Sequence, residues 1–173
     1  MGANTGEFSR IAGKKGINTI AFDGDPVAVE ENYEECLRNH ETNIIPLLLD
    51  LTNPSAGIGW ANEERVSLIE RGPADTVLML ALIHHLSISN NVPFPKISEF
   101  CGNICKSLII EFVPKSDSQV QRLLSNRQDV FTDYSRENFE KEFEKVFTIA
   151  ASIPIRDSDR TAYWMTKRTD RLS

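Results

Sequence analysis

The sequence predicts an α/β fold with a mostly parallel sheet that closes in an antiparallel hairpin. Three observations carry this reading. Short apolar runs alternate with amphipathic stretches along the chain, and parallel strands need crossover connections of that kind. Most runs are bounded by Gly, Pro, Asp or Asn, the residues that open and close turns. The last two runs, "FTIAASIPI" and "RTAYWMTK", are separated only by "RDSD", which suits a hairpin and is too short for a crossover.

Taken in order, "MGANTGEFSR" is a glycine-rich loop running into a short helix. Phe8, Ile11 and Ala12 share one side of it, and Gly16 stops it. "INTIAF" reads as a buried strand. "DGDP" then starts a helix, with Asp25 as cap and Pro26 in the first turn, and Val29, Tyr33, Cys36 and Leu37 form its apolar stripe. "NIIPLLL" is the next strand, placed at an edge because Pro46 cannot donate to a ladder. "DLTNPSAGIGW" is a turn-rich loop, and "NEERVSLIER" is read as a helix ended by Gly72 and Pro73.

"DTVLMLAL" is the following strand, and "IHHLSISNNVPFP" a long loop whose "SISNNVPFP" part suits a mobile lid. The clearest helical period joins Ile97, Phe100, Cys101, Ile104, Cys105 and Leu108. "SLIIEFV" returns as a strand and "DSQVQRLLSNR" as a helix. "SRENFEKEFEKVF" is a second helix, capped by Ser135, with Phe139, Phe143, Val146 and Phe147 turned inward.

A chain of 173 residues fills one core of ordinary size, so residues 1–173 are read as a single domain. No apolar run is long enough to span a bilayer. The formal net charge of -6 argues against a broad grip on nucleic-acid phosphates. Three cysteines make no even disulfide framework, which fits a reducing, cytoplasmic setting. Cys101 and Cys105 read as buried thiols rather than half a metal site.

In open α/β sheets, ligands bind beyond the carboxyl ends of the strands. Those ends carry the loop Gly2 to Gly6, then Asp23, Asp50, His84 and Glu111. Gly2 and Gly6 let the backbone turn tightly and approach a ligand. Asp23 ends its strand where it can accept hydrogen bonds from ribose hydroxyls, or else serve as a turn residue. Asp50 is placed to meet a purine amino group, the alternative being an Asx turn in "DLTNP".

With these residues in order, the chain resembles the class I S-adenosylmethionine-dependent methyltransferases. The resemblance runs through "GANTGEFS", "AFDGDP", "LLLDLTNP", "ADTVLMLALIHHL" and "SLIIEFVPK" to the terminal hairpin, essentially the whole chain. The stretch from "DLTNP" to "SNNVP" resembles the carboxy-terminal methyltransferase domain of larger bacterial and archaeal proteins. The resemblance implies a Rossmann-like sandwich and S-adenosylmethionine as cofactor. It implies that Gly2, Ala3, Asn4 and Gly6 line the methionine end, that Asp23 takes the ribose, and that Asp50 with the Leu51 backbone reads the adenine.

Two departures stand out. Asn4 replaces the middle glycine of the usual loop, and Asn visits left-handed conformations more readily than most residues. The family's first strand is absent, since only Met1 precedes Gly2. The expectation is an amino-terminally truncated domain whose missing strand is supplied by an upstream segment or another chain.

For the acceptor side, the candidates are His84, His85 and Glu111. A neutral imidazole at the end of the fourth family strand can take a proton from a hydroxyl or amine; the alternative is a histidine that packs or bonds a loop carbonyl. Glu111 interrupts an apolar strand, so it either faces a ligand or has a partner, for which Lys115 is a candidate. Nucleobase and cytosine methyltransferase motifs are absent, which favours a small-molecule acceptor over RNA. Two other functions stay open: a binding remnant without turnover, and a nicotinamide oxidoreductase, which normally uses G-x-G-x-x-G.

Overall fold

The computed structural model describes residues 1–125 and 128–169. The last two residues of "DSQVQRLLSNR" and residues 170–173 lie outside the described residues. The chain divides into two compact units, Met1–Ala56 and Gly57–Ser173.

The first unit contains α1 (Glu7–Gly13), β1 (Thr19–Asp23), α2 (Pro26–Arg38) and β2 (Ile44–Leu48). β1 and β2 pair in parallel, from Thr19 opposite Ile44 to Asp23 opposite Leu48. α2 is the crossover between them. Its start follows the expected chemistry: Asp25 accepts a hydrogen bond from the Val27 N–H at 2.9 Å and Pro26 occupies the first turn.

The buried face of α2 differs from the stripe the sequence predicts. Ala28, Asn32 and Cys36 are buried, while Tyr33 and Leu37 are exposed. Positions 28, 32 and 36 lie four apart on one side of the helix. Their small side chains let the helix approach the sheet, with a core of Ala21, Cys36 and Ile44 and with Ala3 against it. In α1, Phe8 and Ile11 likewise face outward. A unit of this size has little interior to fill.

The second unit contains β3 (Ala74–Met79), a π-helical turn (His85–Ser89), α3 (Phe94–Ile104), β4 (Cys105–Phe112), α4 (Ser118–Leu124), α5 (Arg136–Glu144), β5 (Phe147–Pro154) and β6 (Thr161–Lys167). Its sheet has the order β3-β4-β6-β5. β3 and β4 are parallel, while β6 runs antiparallel to both β4 and β5. The mostly parallel sheet with a terminal hairpin is therefore as the sequence predicts.

Phe139, Phe143, Phe147, Phe112 and Tyr163 form a fully buried aromatic core. Phe139 packs its ring against Phe143, Phe112 and Tyr163 with centroids 4.5–5.2 Å apart. Cys101 and Cys105 are buried thiols, and burial pushes Cys105 up to about 11.

Three elements depart from expectation. "NEERVSLIER" is not a helix. Ile58 and Arg65 form an antiparallel bridge, and beyond it only a single turn forms, where Ser67 and Glu70 bond each other's polar atoms. Val66 and Ile69 are exposed, so a helix here lacks an apolar face to bury and would be marginal.

α3 ends at Ile104, not at Leu108. Cys105 is already extended (φ -148°, ψ 158°) and opens β4. The segment read as a mobile lid is instead partly folded: Ser87 and Ile88 in the π-helical turn and Phe94 at the start of α3 are buried.

Candidate functional site

The glycine loop lies at the carboxyl end of β1. Gly2, Asn4 and Gly6 take positive φ angles of 64°, 47° and 87°, the region that Gly enters freely and Asn tolerates. The Ala3 N–H donates to the Phe22 carbonyl at 3.0 Å, and the Asn4 N–H donates to Asp23 Oδ2 at 2.7 Å. Asp23 Oδ1 accepts the Asp25 N–H at 2.9 Å. One carboxylate thus joins the loop to the turn that opens α2.

Each oxygen of Asp23 accepts one backbone N–H, and an ionised carboxylate offers about four acceptor positions. The remaining capacity suits a neighbouring pair of hydroxyls.

Asp50 follows β2 at the same end of the pair, and the Leu49 N–H donates to the Asp23 carbonyl at 2.8 Å. Asp50 Oδ1 accepts both the Thr52 N–H (2.8 Å) and the Thr52 hydroxyl (2.7 Å), which is the Asx-turn geometry. The Thr52 hydroxyl, then its N–H, holds the Asp50 carboxyl below its ordinary range. The carboxylate is exposed, and Leu51 beside it is half-buried. The first unit therefore brings Gly2, Ala3, Asn4, Gly6, Asp23, Asp50 and Leu51 to one end of one strand pair.

Gly6 leaves no room for a side chain. A Cβ there would lie 2.2 Å from Asn32 Oδ1. Asn32 is 1% exposed, and Arg10 adds a hydrogen bond from Nη2 to the Asn32 carbonyl at 3.2 Å.

In the second unit, β3 stops early because Ala81 takes φ 49° and its N–H donates to Glu111 Oε2 at 2.8 Å. The other Glu111 oxygen accepts from Arg160 Nη1 at 3.1 Å. Arg160 also grips Asp117 with two hydrogen bonds, Nε to Oδ2 at 2.7 Å and Nη2 to Oδ1 at 3.1 Å. Asp117 caps α4 by accepting the Gln119 N–H at 2.8 Å. Its carboxyl is held below the usual range, chiefly by the Arg160 hydrogen bonds.

Glu111 thus has a partner, and it is Arg160; Lys115 pairs with Asp129 at 2.7 Å instead. Sequence reading missed Arg160 and Asp117, which lie 49 and 6 positions from Glu111. The signal was the hairpin register: Glu111 stands opposite Ala162, two residues beyond Arg160.

His84 and His85 begin the π-helical turn with ring centroids 4.2 Å apart. His84 is 2% exposed, and its Nδ1 has no hydrogen-bond partner among the described residues. Burial, then the neighbouring His85 and Arg160, lower its pKa from 6.5 to about 4, against an opposing pull from Asp117. His85 is exposed at its surface, and partial burial lowers its pKa too. Both shifts favour the neutral ring, which is able to accept a proton.

The His84 shift has a consequence for stability. A folded pKa below the unfolded value means that the unfolded chain takes up the proton first as pH falls. The contribution is complete above the unfolded value of 6.5 and is lost down to about 4. Stability at pH 5 is expected to be about 2 kcal/mol below that at pH 7 from this group alone. Denaturant titrations at both pH values check it. His84→Gln should remove that part of the difference, and an unchanged difference would reject the assignment.

The fold compares with known structures as follows. Mitomycin 7-O-methyltransferase MmcR superposes with a TM-score of 0.64 at 15% identity, over 96% of this chain and 47% of that one. A SAM-dependent methyltransferase from Aquifex aeolicus superposes with a TM-score of 0.61 at 13% identity, over 96% of this chain and 79% of that one. The fold is that of the class I S-adenosylmethionine-dependent methyltransferases. The family resemblance expected from the motifs is thereby borne out at the level of the fold.

No family model matches the sequence. A curated relative, nodulation protein NoeA of Rhizobium meliloti (strain 1021), is 38% identical over 164 residues. These cover 94% of this chain and 34% of NoeA, so the chain spans about a third of that relative's length. No helix among the described residues is long and apolar enough to cross a membrane.

Proposed function

We propose that the chain binds S-adenosylmethionine and transfers its methyl group to an oxygen or nitrogen of a small-molecule acceptor in the cytoplasm. The observation that carries this reading is the convergence of the left-handed glycine loop, Asp23 and Asp50 at one end of the β1–β2 pair. That donor set fits the cofactor: Gly2, Ala3, Asn4 and Gly6 beside the methionine end, Asp23 on the ribose hydroxyls, and Asp50 with the Leu51 backbone at the adenine. Bound there, the cofactor supplies an electrophilic methyl group on a sulfonium.

On the acceptor side, neutral His84 or His85 takes the acceptor's proton. Glu111 acts through position, fixing the Ala81 corner three residues before His84. The two units are read as parts of one cofactor-binding domain. β1 pairs with β2 on one edge and β3 with β4 on one edge, and no strand among the described residues pairs their other edges. In this reading a strand from another segment or chain pairs with an open edge, which otherwise invites aggregation.

Calorimetric titration of the chain with S-adenosylmethionine and with NAD tests the reading. S-adenosylmethionine should bind and NAD should not. Asp23→Ala removes charge-assisted hydrogen bonds and should weaken S-adenosylmethionine binding by about tenfold to a hundredfold. Binding of NAD alone would reject the methyl-transfer reading.

A further inference from the structure

The second unit holds a pocket of about 450 Å³ whose lining includes none of the candidate site residues. It opens where the start of α3 meets the segment leading into α5, and Ser87, Pro93, Phe131, Asp133, Tyr134 and Glu142 are among the residues lining it. Its volume suits a compact ring system rather than a single ion or a polymer.

Three features define the chemistry of an occupant. The walls are aromatic and proline-rich. The charged residues that line the pocket are Asp133 and Glu142, both carboxylates, with no Lys, Arg or His among the lining residues described. Ser87 is 6% exposed, and its hydroxyl has no hydrogen-bond partner among the described residues, a condition that native interiors rarely leave uncompensated.

Glu142 is a buried carboxylate on the pocket wall. It is only 7% exposed, and it follows Phe139 by three positions on the buried side of α5. Lys145 pairs with Oε2 and approaches from the solvent side, being 59% exposed itself. A helix position among core phenylalanines is a costly place for a carboxylate. A cation or strong donor inside the pocket recovers part of that cost, whereas an anion would add to it.

We propose that this pocket binds a compact aromatic molecule carrying an ammonium group, with the ring against Phe131 and Tyr134 and the ammonium toward Glu142 and the Ser87 hydroxyl. Occupancy of the pocket needs no cofactor and does not rest on the methyl-transfer reading.

The test uses three probes of one skeleton: phenethylamine, 2-phenylethanol and phenylacetate. They are titrated into the ¹⁵N-labelled chain and followed by amide chemical shifts and calorimetry. Phenethylamine should shift amides in segments 87–94 and 131–142 and bind about tenfold or more tightly than phenylacetate. Glu142→Gln should reduce that preference to within about twofold, while Glu142→Asp keeps its sign. Equal binding of the amine and the acid overturns the proposal, as do shifts confined to other segments or no binding at millimolar concentration. The wild-type comparison decides alone if Glu142→Gln does not fold. Cofactor binding without phenethylamine binding sinks the pocket and leaves the proposed function standing; the converse sinks the function and leaves the pocket.

Discussion

Gly6→Ala is expected to destabilise the first unit by about 3 kcal/mol. Two costs combine. The residue sits at φ 87°, where any Cβ costs roughly 1–2 kcal/mol. The new methyl carbon would also stand 2.2 Å from Asn32 Oδ1 and 2.6 Å from its Cγ, and overpacking of a filled site costs about 1–3 kcal/mol. Asn32 has little room to yield, being 1% exposed and tied through its carbonyl to Arg10. Arg10 in turn donates from Nη1 to the Thr5 carbonyl at 2.5 Å, inside the same loop.

Amide hydrogen exchange in β1 and α2 reads this cost where it falls. The double variant Gly6→Ala/Asn32→Ala separates the two terms: the steric part should disappear and about 1 kcal/mol of backbone cost should remain. If the double variant is no better than the sum of the singles, the contact with Asn32 is not what excludes a side chain. A loss of S-adenosylmethionine binding that accompanies the loss of exchange protection would tie the loop's shape to the cofactor site.

Much of the frame was legible in the sequence because it rests on short-range chemistry. Asp25 with Pro26 and Ser135 cap α2 and α5 as their residue types require. The hairpin follows from two β-branched and aromatic runs with little between them. What was not legible depends on long-range contacts. Phe8 and Ile11 give α1 a stripe, yet nothing local says whether an element lies opposite to cover it. In α2 the buried positions hold Ala28, Asn32 and Cys36, and Asn32 does not register as interior until Gly6 is seen against it. Residues 62–71 carry helical composition without an apolar face to bury, and composition alone overstates such segments. On the site side, the positions of Asp23 and Asp50 follow from where their strands end. The partner of Glu111 does not, since Lys115 is near in sequence and Arg160 is near only through the β4–β6 register.

That register leads to the second large effect. Arg160→Ala is expected to cost about 3–5 kcal/mol, because it leaves Glu111 and Asp117 as neighbouring, poorly solvated carboxylates with no cation between them. Their side chains are 7% and 12% exposed. Glu111→Gln should cost less. The glutamine carbonyl still accepts the Ala81 N–H, so the corner at φ 49° keeps its anchor.

The pH dependence distinguishes this account from simple loss of packing. In the wild type, Asp117 is held below its ordinary value by Arg160. Its contribution is therefore present above the unfolded carboxylate range and lost as pH falls through the folded value. Without Arg160 the sign reverses for a carboxylate left buried: its pKa rises above the unfolded value, and the variant gains stability relative to wild type as pH falls. The deficit of Arg160→Ala should thus shrink by about 1–2 kcal/mol between pH 7 and pH 5. Urea titrations of both proteins at the two pH values measure it. A deficit independent of pH would mean that Arg160 contributes only its aliphatic stem, and that Glu111 and Asp117 find solvent or other partners when it is gone.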